Sequence, residues 1–554
     1  MKLDPIQRQL LWDRLLAIVE EQAQSIMRTA FCTIVRESGD LSAGIFDLQG
    51  RMIAQAQTGT AGFIHTLAGV VRHVLDWFPL AKAQPGEAWI TNDPWLNCGH
   101  LHDFSVIRPI FRGSRPVAIV ACAAHMVDVG GRGLGPDAVN IYEEGLNVPP
   151  VRWTSGDEVE PGILAMIRAN VREPDQVEGD LRSLTAANRA AEARLLETLA
   201  GFGMEDVAEI AEHVIETSRT AMRESIGRLP AGEHAYRMRI DGYDEPLDLC
   251  ARMRVAGGDL EVDFDGTSPA STYGINVPFN YSKAYAWFGI KCVLAPDVPT
   301  NAGSLEPVRF SAPEGSVVNA SHPSPVSARH IVGHMLPDLM IGCLDAFLPQ
   351  GCQAESGAAL WGPQFRNAPE DPARFETITV HSGGCGGRPL KDGLSATAFP
   401  TNLRTVPVEV IEAGSPLVVW RRELRPDSAG AGEHRGGFGQ VLEIGHVRKA
   451  PFLVAAMFDR VENAARGRRG GQDGAPGRVS LDSGEPLRPK GVRIVPRERR
   501  LRLELPGGAG LGDPRSRDPE AVKSEMAAGL LSPAAARANY HLVQPEPHEE
   551  EGEK

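Results

Sequence analysis

The 554-residue sequence predicts an α+β protein of several domains, and three observations carry that expectation. The length exceeds what one simple core encloses and implies about two to four domains. Apolar residues recur at helical spacing in the first 35 residues and again over 176–228, whereas the intervening stretches read as strands. No repeat of fixed period is visible, and the mixed order of helices and strands does not suit a single doubly wound sheet. The expected division is an N-terminal region over 1–175, a helical segment over 176–234, a β-rich mixed region over 235–512, a helical tail over 513–545 and a disordered acidic tail over 546–554.

Each element has a local reason. Asp4-Pro5 supplies a cap followed by proline at the first helical position, and Leu11, Leu15, Ile18, Ile26 and Ala30 follow at three- and four-residue steps, predicting a long N-terminal helix. SAGIFDLQGRMIAQA (42–56) reads as two strands around a turn at Gln49-Gly50. EAWITNDPW (87–95) and RPVAIVACAAH (115–125) each read as a strand running into a loop, with polar residues just past the strand end. Residues 176–228 predict helices broken at Gly201–Gly203. Strands follow from 235, then the Pro/Asn-rich SPASTYGINVPFN, and a second helical stretch covers about 325–347. Short strands with glycine-rich turns reach 512, and DPEAVKSEMAAGLLSPAAARANY (518–540) predicts a compact helical tail.

Composition narrows the function. Hydrophobic content of 42% with 23% charged residues is ordinary for a soluble globular protein. A net charge of −14 opposes a nucleic-acid footprint, so the arginines of ENAARGRRGGQDG (462–474) are expected in a solvated loop or beside an anionic ligand. The eight cysteines show no CxxC spacing, and Cys122 in its apolar run reads as a core residue. There is no basic, then apolar leader and no run of eighteen apolar residues, so the expected location is the cytoplasm, without membrane contact. P-loop and GxSxG patterns are absent. The clusters GGRGLG (130–135) and PGGAGLGDP (506–514) lack a strand–helix context and are expected to make turns.

Ligand-type residues concentrate in NCGHLHD (97–103) and AAHMVDVGG (123–131). On a strand His100 and His102 would share a side; on a turn His100 and Asp103 would. Asn92-Asp93-Pro94 and Gly99 favour the turn, and His125, leaving a buried strand, would complete the cluster. Two imidazoles with a carboxylate suit a catalytic divalent metal such as zinc, manganese or iron. Spacing alone does not separate that reading from solvated or hydrogen-bonded loop histidines.

The run ITNDPWLNCGHLHD through AHMVDVGGRGLGPDAVNIYEEGLNVPP, with RESGDLSAGIFDLQGRMIAQA (36–56), LRPDSAGAGEHRGGFGQ (424–440), PGGAGLGDP and the tail motifs DPEAV and LLSPAAARANY, resembles the hydantoinase B/oxoprolinase family over nearly the whole chain. The resemblance implies a metal held by His100, Asp103 and His125, joined by Asp40 as in lactamase-like members. The family's usual loops read NDPYxGGTHLPD and HHADIGG. Here Cys98-Gly99 replaces Gly-Thr, His102 replaces proline and Met126 replaces the second histidine, so His102 adds a rival donor. Asp128 keeps the family aspartate and would orient a ligand histidine or a water, unless it caps the glycine turn. His65 in FIHTLAG matches a family histidine, read as a substrate-side group or as a core histidine. The resemblance also implies a separate actin-like ATPase subunit, of the hydantoinase A type, that uses ATP to phosphorylate the substrate, hence a hetero-oligomer. The expected function is the hydantoinase B-type component of an ATP-dependent cyclic amidase. The alternatives are a subunit of an acetone- or acetophenone-type carboxylase, acting on a ketone, and a non-catalytic scaffold.

Overall fold

Helix α1 (Pro5–Thr29) starts at a capping box: Asp4 accepts from the Gln7 amide at 2.8 Å, and Gln7 accepts from the Asp4 amide at 3.0 Å. The computed structural model describes residues 3–357, 360–371 and 374–541, so the acidic tail over 546–554 and residues 542–545 of the helical tail lie outside it. After α1 come β1 (Leu41–Phe46), β2 (Met52–Gln55), α2 (Phe63–Trp77), β3 (Ala88–Thr91), β4 (Asp103–Arg112), β5 (Arg115–His125), β6 (Val151–Ser155) and β7 (Glu158–Val159). The turn between β1 and β2 has Gly50 at φ 73°, as the Gln49-Gly50 reading expected.

These strands form one antiparallel sheet in the order β2-β1-β5-β4-β3-β6-β7. β4 and β5 make its central hairpin, joined at Gly113-Ser114, and every residue from Val117 to His125 is buried. Helices cover both faces, which is why the strands are continuously apolar instead of alternating. Helices α3 (Pro161–Asn170), α4 (Pro174–Gly201) and α5 (Ala208–Gly227) follow the sheet. α1, α4 and α5 join Ile45, Ile53, Val117 and Val120 in one core through Leu15, Val19, Leu195, Leu199 and Val214. Leu67, Val70 and Val71 of α2 join Ala43, Ile119 and Ala121 in the other. A buried polar chain links α1, α4 and the sheet: Gln22 donates to Asn188 at 2.6 Å, and Asn188 donates to the Val106 carbonyl at 3.0 Å.

The second half adds β8 (Gly232–Ile240), β9 (Leu247–Ala256), β10 (Asp259–Asp263) and β11 (Val308–Ser311) as a four-stranded sheet, with β10 and β11 parallel. Helix α6 (Phe279–Leu294) begins directly after Pro278, so the Pro/Asn-rich stretch ends in a helix that the sequence reading left out. The helix expected over 325–347 is instead two shorter ones, α7 (His330–Gly333) and α8 (Leu336–Leu344). Pro337 opens the latter, a position where its missing N–H costs nothing. Two further four-stranded sheets share a core of Phe365, Phe452, Val454, Leu442, Ile444 and Leu503. Among the described residues no helix is long and apolar enough to cross a membrane. All eight cysteines are free thiols, with Cys122 in the core as expected.

Most of the glycine-rich run at 506–512 does not turn, contrary to the sequence reading. Leu505 through Leu511 is buried and lies among other glycine-rich segments near 383–387, 429–439 and 467–474. Amides and carbonyls of different segments bond directly: Gly384 N to Pro506 O at 3.0 Å, Gly437 N to Cys385 O at 2.7 Å, Gly508 N to Gly437 O at 2.9 Å and Gly430 N to Gly508 O at 2.8 Å. A methyl on Gly436 would stand 1.8 Å from the Gly508 carbonyl, and one on Gly508 would stand 1.9 Å from that of Cys385. Glycine is required here for close backbone approach, not for turning. GGRGLG does turn, with positive φ at Gly130, Gly131 and Gly133, and in the later run positive φ is confined to its end, at Gly512.

The arginines of RGRRGGQDG fasten this segment to others: Arg468 is buried, while Arg466 and Arg469 keep the solvent exposure the sequence suggested. Arg466 pairs with buried Glu355 at 2.6 Å, Arg468 donates to the Ile341 carbonyl at 3.1 Å, and Arg469 pairs with Asp345. Gly436→Ala is therefore expected to cost more than about 4 kcal/mol or to abolish soluble expression. Gly201→Ala, in open space at the end of α4, should change stability by no more than about 1 kcal/mol. Thermal unfolding of both variants checks this.

Candidate metal centre

Three neighbouring strands of the large sheet deliver their ends to one edge. Asp40 immediately precedes β1, Asp103 opens β4 and His125 closes β5. Antiparallel pairing sets Asp103 opposite His125, and the His125 amide donates to the Asp40 carbonyl at 3.2 Å. Residues distant in sequence thus meet because of register.

The loop 92–102 is held in shape by its own side chains. Asn92 accepts from Val148 N at 2.6 Å and donates to Leu101 O and Leu146 O at 2.7 and 2.9 Å. Asp93 accepts from Trp95 N at 2.9 Å, an Asx turn, and Asn97 donates to Asp103 O at 2.7 Å. Gly99 sits at φ 86°, and a methyl there would lie 2.8 Å from Arg329 Cδ, so glycine is needed twice over. The outcome is the turn geometry, with His100 and Asp103 facing each other.

Asp103 Oδ1 stands 2.9 Å from His100 Nε2 and 3.2 Å from His125 Nδ1. Ligand atoms of these three residues all fall within 4.8 Å of one another, and Asp40 Oδ2 lies 3.8 Å from His125 Nδ1. Two ligands about 2.1 Å from one metal stand about 3.0 Å apart at right angles and about 3.4 Å apart at tetrahedral ones, so the cluster is close to what a single ion needs. Orphaned atoms support the fit. His100 Nε2 and His125 Nε2 are buried without a hydrogen-bond partner, which leaves their desolvation uncompensated. His100 Nδ1 is 3.1 Å from the Ser327 carbonyl; donating there fixes the tautomer whose Nε2 lone pair faces inward.

Electrostatics keep the donors in ligand form. Burial by itself would raise the Asp103 carboxyl, but His100 and Arg329 hold it well below the usual carboxylate range. Arg329 Nη2 donates to Asp103 Oδ2 at 2.6 Å, leaving Oδ1 for the histidines. Burial, then Arg329, pushes His100 down to about 4, so it is neutral at ordinary pH. Asp40 is pushed up to about 6, chiefly by burial.

Arg329 reaches the site from just before α7. It donates to the Cys98 carbonyl at 2.6 Å and lies over the Tyr281 ring at 4.0 Å. Its loop is anchored by buried Glu144, whose Oε1 accepts from Val326 N at 2.6 Å and Ser327 N at 2.8 Å; burial lifts this carboxyl to about 8. Above the cluster is a small cavity. Its polar wall includes Asp40, Tyr281, Tyr285, His330 and His334, and its apolar wall includes Phe63, Leu134, Leu360, Ile378 and Val380.

Two sequence-predicted residues fall elsewhere. Asp128 accepts from Gly130 N at 3.1 Å and pairs with Arg172, so it caps the glycine turn, one of the two roles the sequence allowed it. His65 packs edge-on against Trp287 and Phe310 and lines a separate cavity with Lys283. Burial depresses it to about 3. Conversely, Arg329, Tyr281, Tyr285, His330 and His334 were missed. The i, i+4 histidines of RHIVGH (329–334) were the available signal.

A sequence profile described as Hydantoinase B/oxoprolinase matches residues 4–514. The chain is 28% identical over 589 residues to a protein of Pseudomonas sp. (strain NS671) named as the hydantoinase B-type component of a D-/L-hydantoinase, covering 100% of this chain and 97% of that one. Its fold matches the crystal structure of the ATP-dependent caprolactamase from Pseudomonas jessenii with a TM-score of 0.88 at 23% identity, over 99% and 97% of the two chains. It also matches nucleotide-free acetone carboxylase with a TM-score of 0.86 at 18% identity, over 98% of this chain and 80% of that one. With a family match running from the capping box of α1 past the last glycine segment, and all three strand-end loops inside it, the chain belongs to the hydantoinase B/oxoprolinase family.

Proposed function

We propose that this chain is the metal-bearing subunit of an ATP-dependent cyclic amidase, hydrolysing a ring amide that a partner ATPase subunit has activated by phosphorylation. The observation that carries this reading is the convergence of His100 Nε2, Asp103 Oδ1 and a His125 ring nitrogen on one buried point, open to a cavity with an apolar wall. His100, Asp103, His125 and Asp40 would hold the ion. When bound, a divalent metal supplies a water nucleophile whose pKa is brought toward neutrality.

The chain's own residues set the rest. Arg329 offsets the buried charge of Asp103 and keeps it ionised. Phe63, Leu134 and Ile378 accommodate ring methylenes and exclude bulk water. Tyr281, Tyr285 and His334 line the polar wall, where hydroxyl and imidazole donors can meet the oxygen of the scissile carbonyl. An unactivated amide resists attack because resonance deactivates its carbonyl, which motivates the ATP-using partner; a relative named as one component of a hydantoinase is consistent with such a partner. The intact ligand set argues against a purely scaffolding role.

About one zinc, manganese or iron per protomer is expected in the purified chain, by elemental analysis. His100→Ala and Asp103→Ala should lose most of it while circular dichroism stays unchanged; full metal content in both would end the reading. Proton linkage gives a second check. A carboxyl raised to about 6 must be deprotonated to act as a ligand, so metal affinity should fall as pH drops below about 6. In Asp40→Asn that portion of the pH dependence should vanish, as chelator competition between pH 5 and 8 would reveal. Finally, the isolated chain should neither hydrolyse ATP nor open hydantoins or lactams until an actin-like ATPase subunit is added. The same assay with ketone and bicarbonate tests the carboxylase alternative.

A further inference from the structure

The environment of His102 is unusual even within this cluster. Its side chain is 1% exposed, and neither ring nitrogen has a hydrogen-bond partner. A neutral imidazole carries one donor and one acceptor, and burying both unmet is uncompensated desolvation. A ring with only a packing role would be better served by phenylalanine, so these nitrogens need an explanation.

The three imidazoles supply one. Ring centroids of His100 and His102 are 5.4 Å apart, of His100 and His125 5.2 Å, and of His102 and His125 5.3 Å, nearly an equilateral triangle. An imidazole bound at about 2.1 Å has its centroid about 3.2 Å from the metal, and three such rings at tetrahedral angles stand roughly 5.2 Å apart. The His102 backbone is tied down, because its carbonyl accepts from Met126 N at 2.7 Å. Its ring is nearly parallel to that of His125, at 13°, and its nitrogens lie outside the set of three that already converge. A side-chain rotation would turn one of them inward without moving the backbone.

Resting on the metal-centre reading above, we propose that His102 turns in on metal binding to become a third imidazole ligand, joining His100, His125, Asp103 and Asp40 around the ion. This departs from the proline of the family's usual loop. A third imidazole makes the donor set nitrogen-rich, which favours zinc or iron over manganese, whose preference is for oxygen donors.

The test uses the full chain loaded with zinc. X-ray absorption at the zinc edge should count three imidazoles in the wild type and two in His102→Phe, which fills the same space without nitrogens. Chelator competition should show zinc affinity weakened by at least about tenfold in that variant, with a smaller loss for manganese. Should His102→Phe fail to fold, His102→Pro restores the family's usual residue and carries the same expectations. Two imidazoles in wild type and variant alike, with equal zinc affinity, would overturn this proposal and leave the metal centre standing. A wild-type chain that binds no zinc, manganese or iron would overturn both.

Discussion

Arg329 and Asp103 meet at 2.6 Å with both side chains almost fully buried, and much of the surrounding structure follows from that contact. Removing either partner leaves a dry, uncompensated charge, a loss of about 3–5 kcal/mol. The guanidinium therefore has to be delivered across 226 residues of sequence and held in place. Gly99 is bare so that it can pass, Cys98 offers a carbonyl, and Tyr281 offers a ring face. The same loop carries Ser327, whose carbonyl orients His100, so charge balance and ligand orientation are set by one segment. Glu144 fastens that segment at two amides.

The pair also connects the two halves of the chain. The sheet of the first half supplies the strand ends, while the second half supplies Arg329, the aromatic wall from α6 and the apolar wall at Leu360, Ile378 and Val380. Neither half encloses the cavity alone. A site built at such a junction gains burial from both sides, which strengthens every electrostatic contact inside it.

Much of this was legible in the residues themselves. The helix cap at Asp4, the strand-to-loop ends at Thr91 and His125, and the turn that pairs His100 with Asp103 all follow from local chemistry. What escaped depends on contacts between remote segments. Arg329 looks like any arginine until Asp103 is found beneath it. Asp128 resembles a site residue by its neighbours, but a glycine two positions on and Arg172 satisfy it. His65 shares a short motif with the helix that borders the cavity, yet it faces the opposite side, and no period distinguishes those faces without knowing what packs where. The glycine runs misled for a related reason. A glycine that permits a turn and one that admits another backbone look identical in sequence, and only the second requires partners far along the chain.

Those interlocked glycines also bear on the cavity. Ile378 and Val380 stand in the cavity wall, and four residues beyond the latter Gly384 bonds to the carbonyl of Pro506. The wall is thus steadied by a segment about 120 residues later in the chain. Closing the cavity therefore draws on two remote parts of the second half: the wall residues at 378–380 and the glycine run that bonds to the segment just after them.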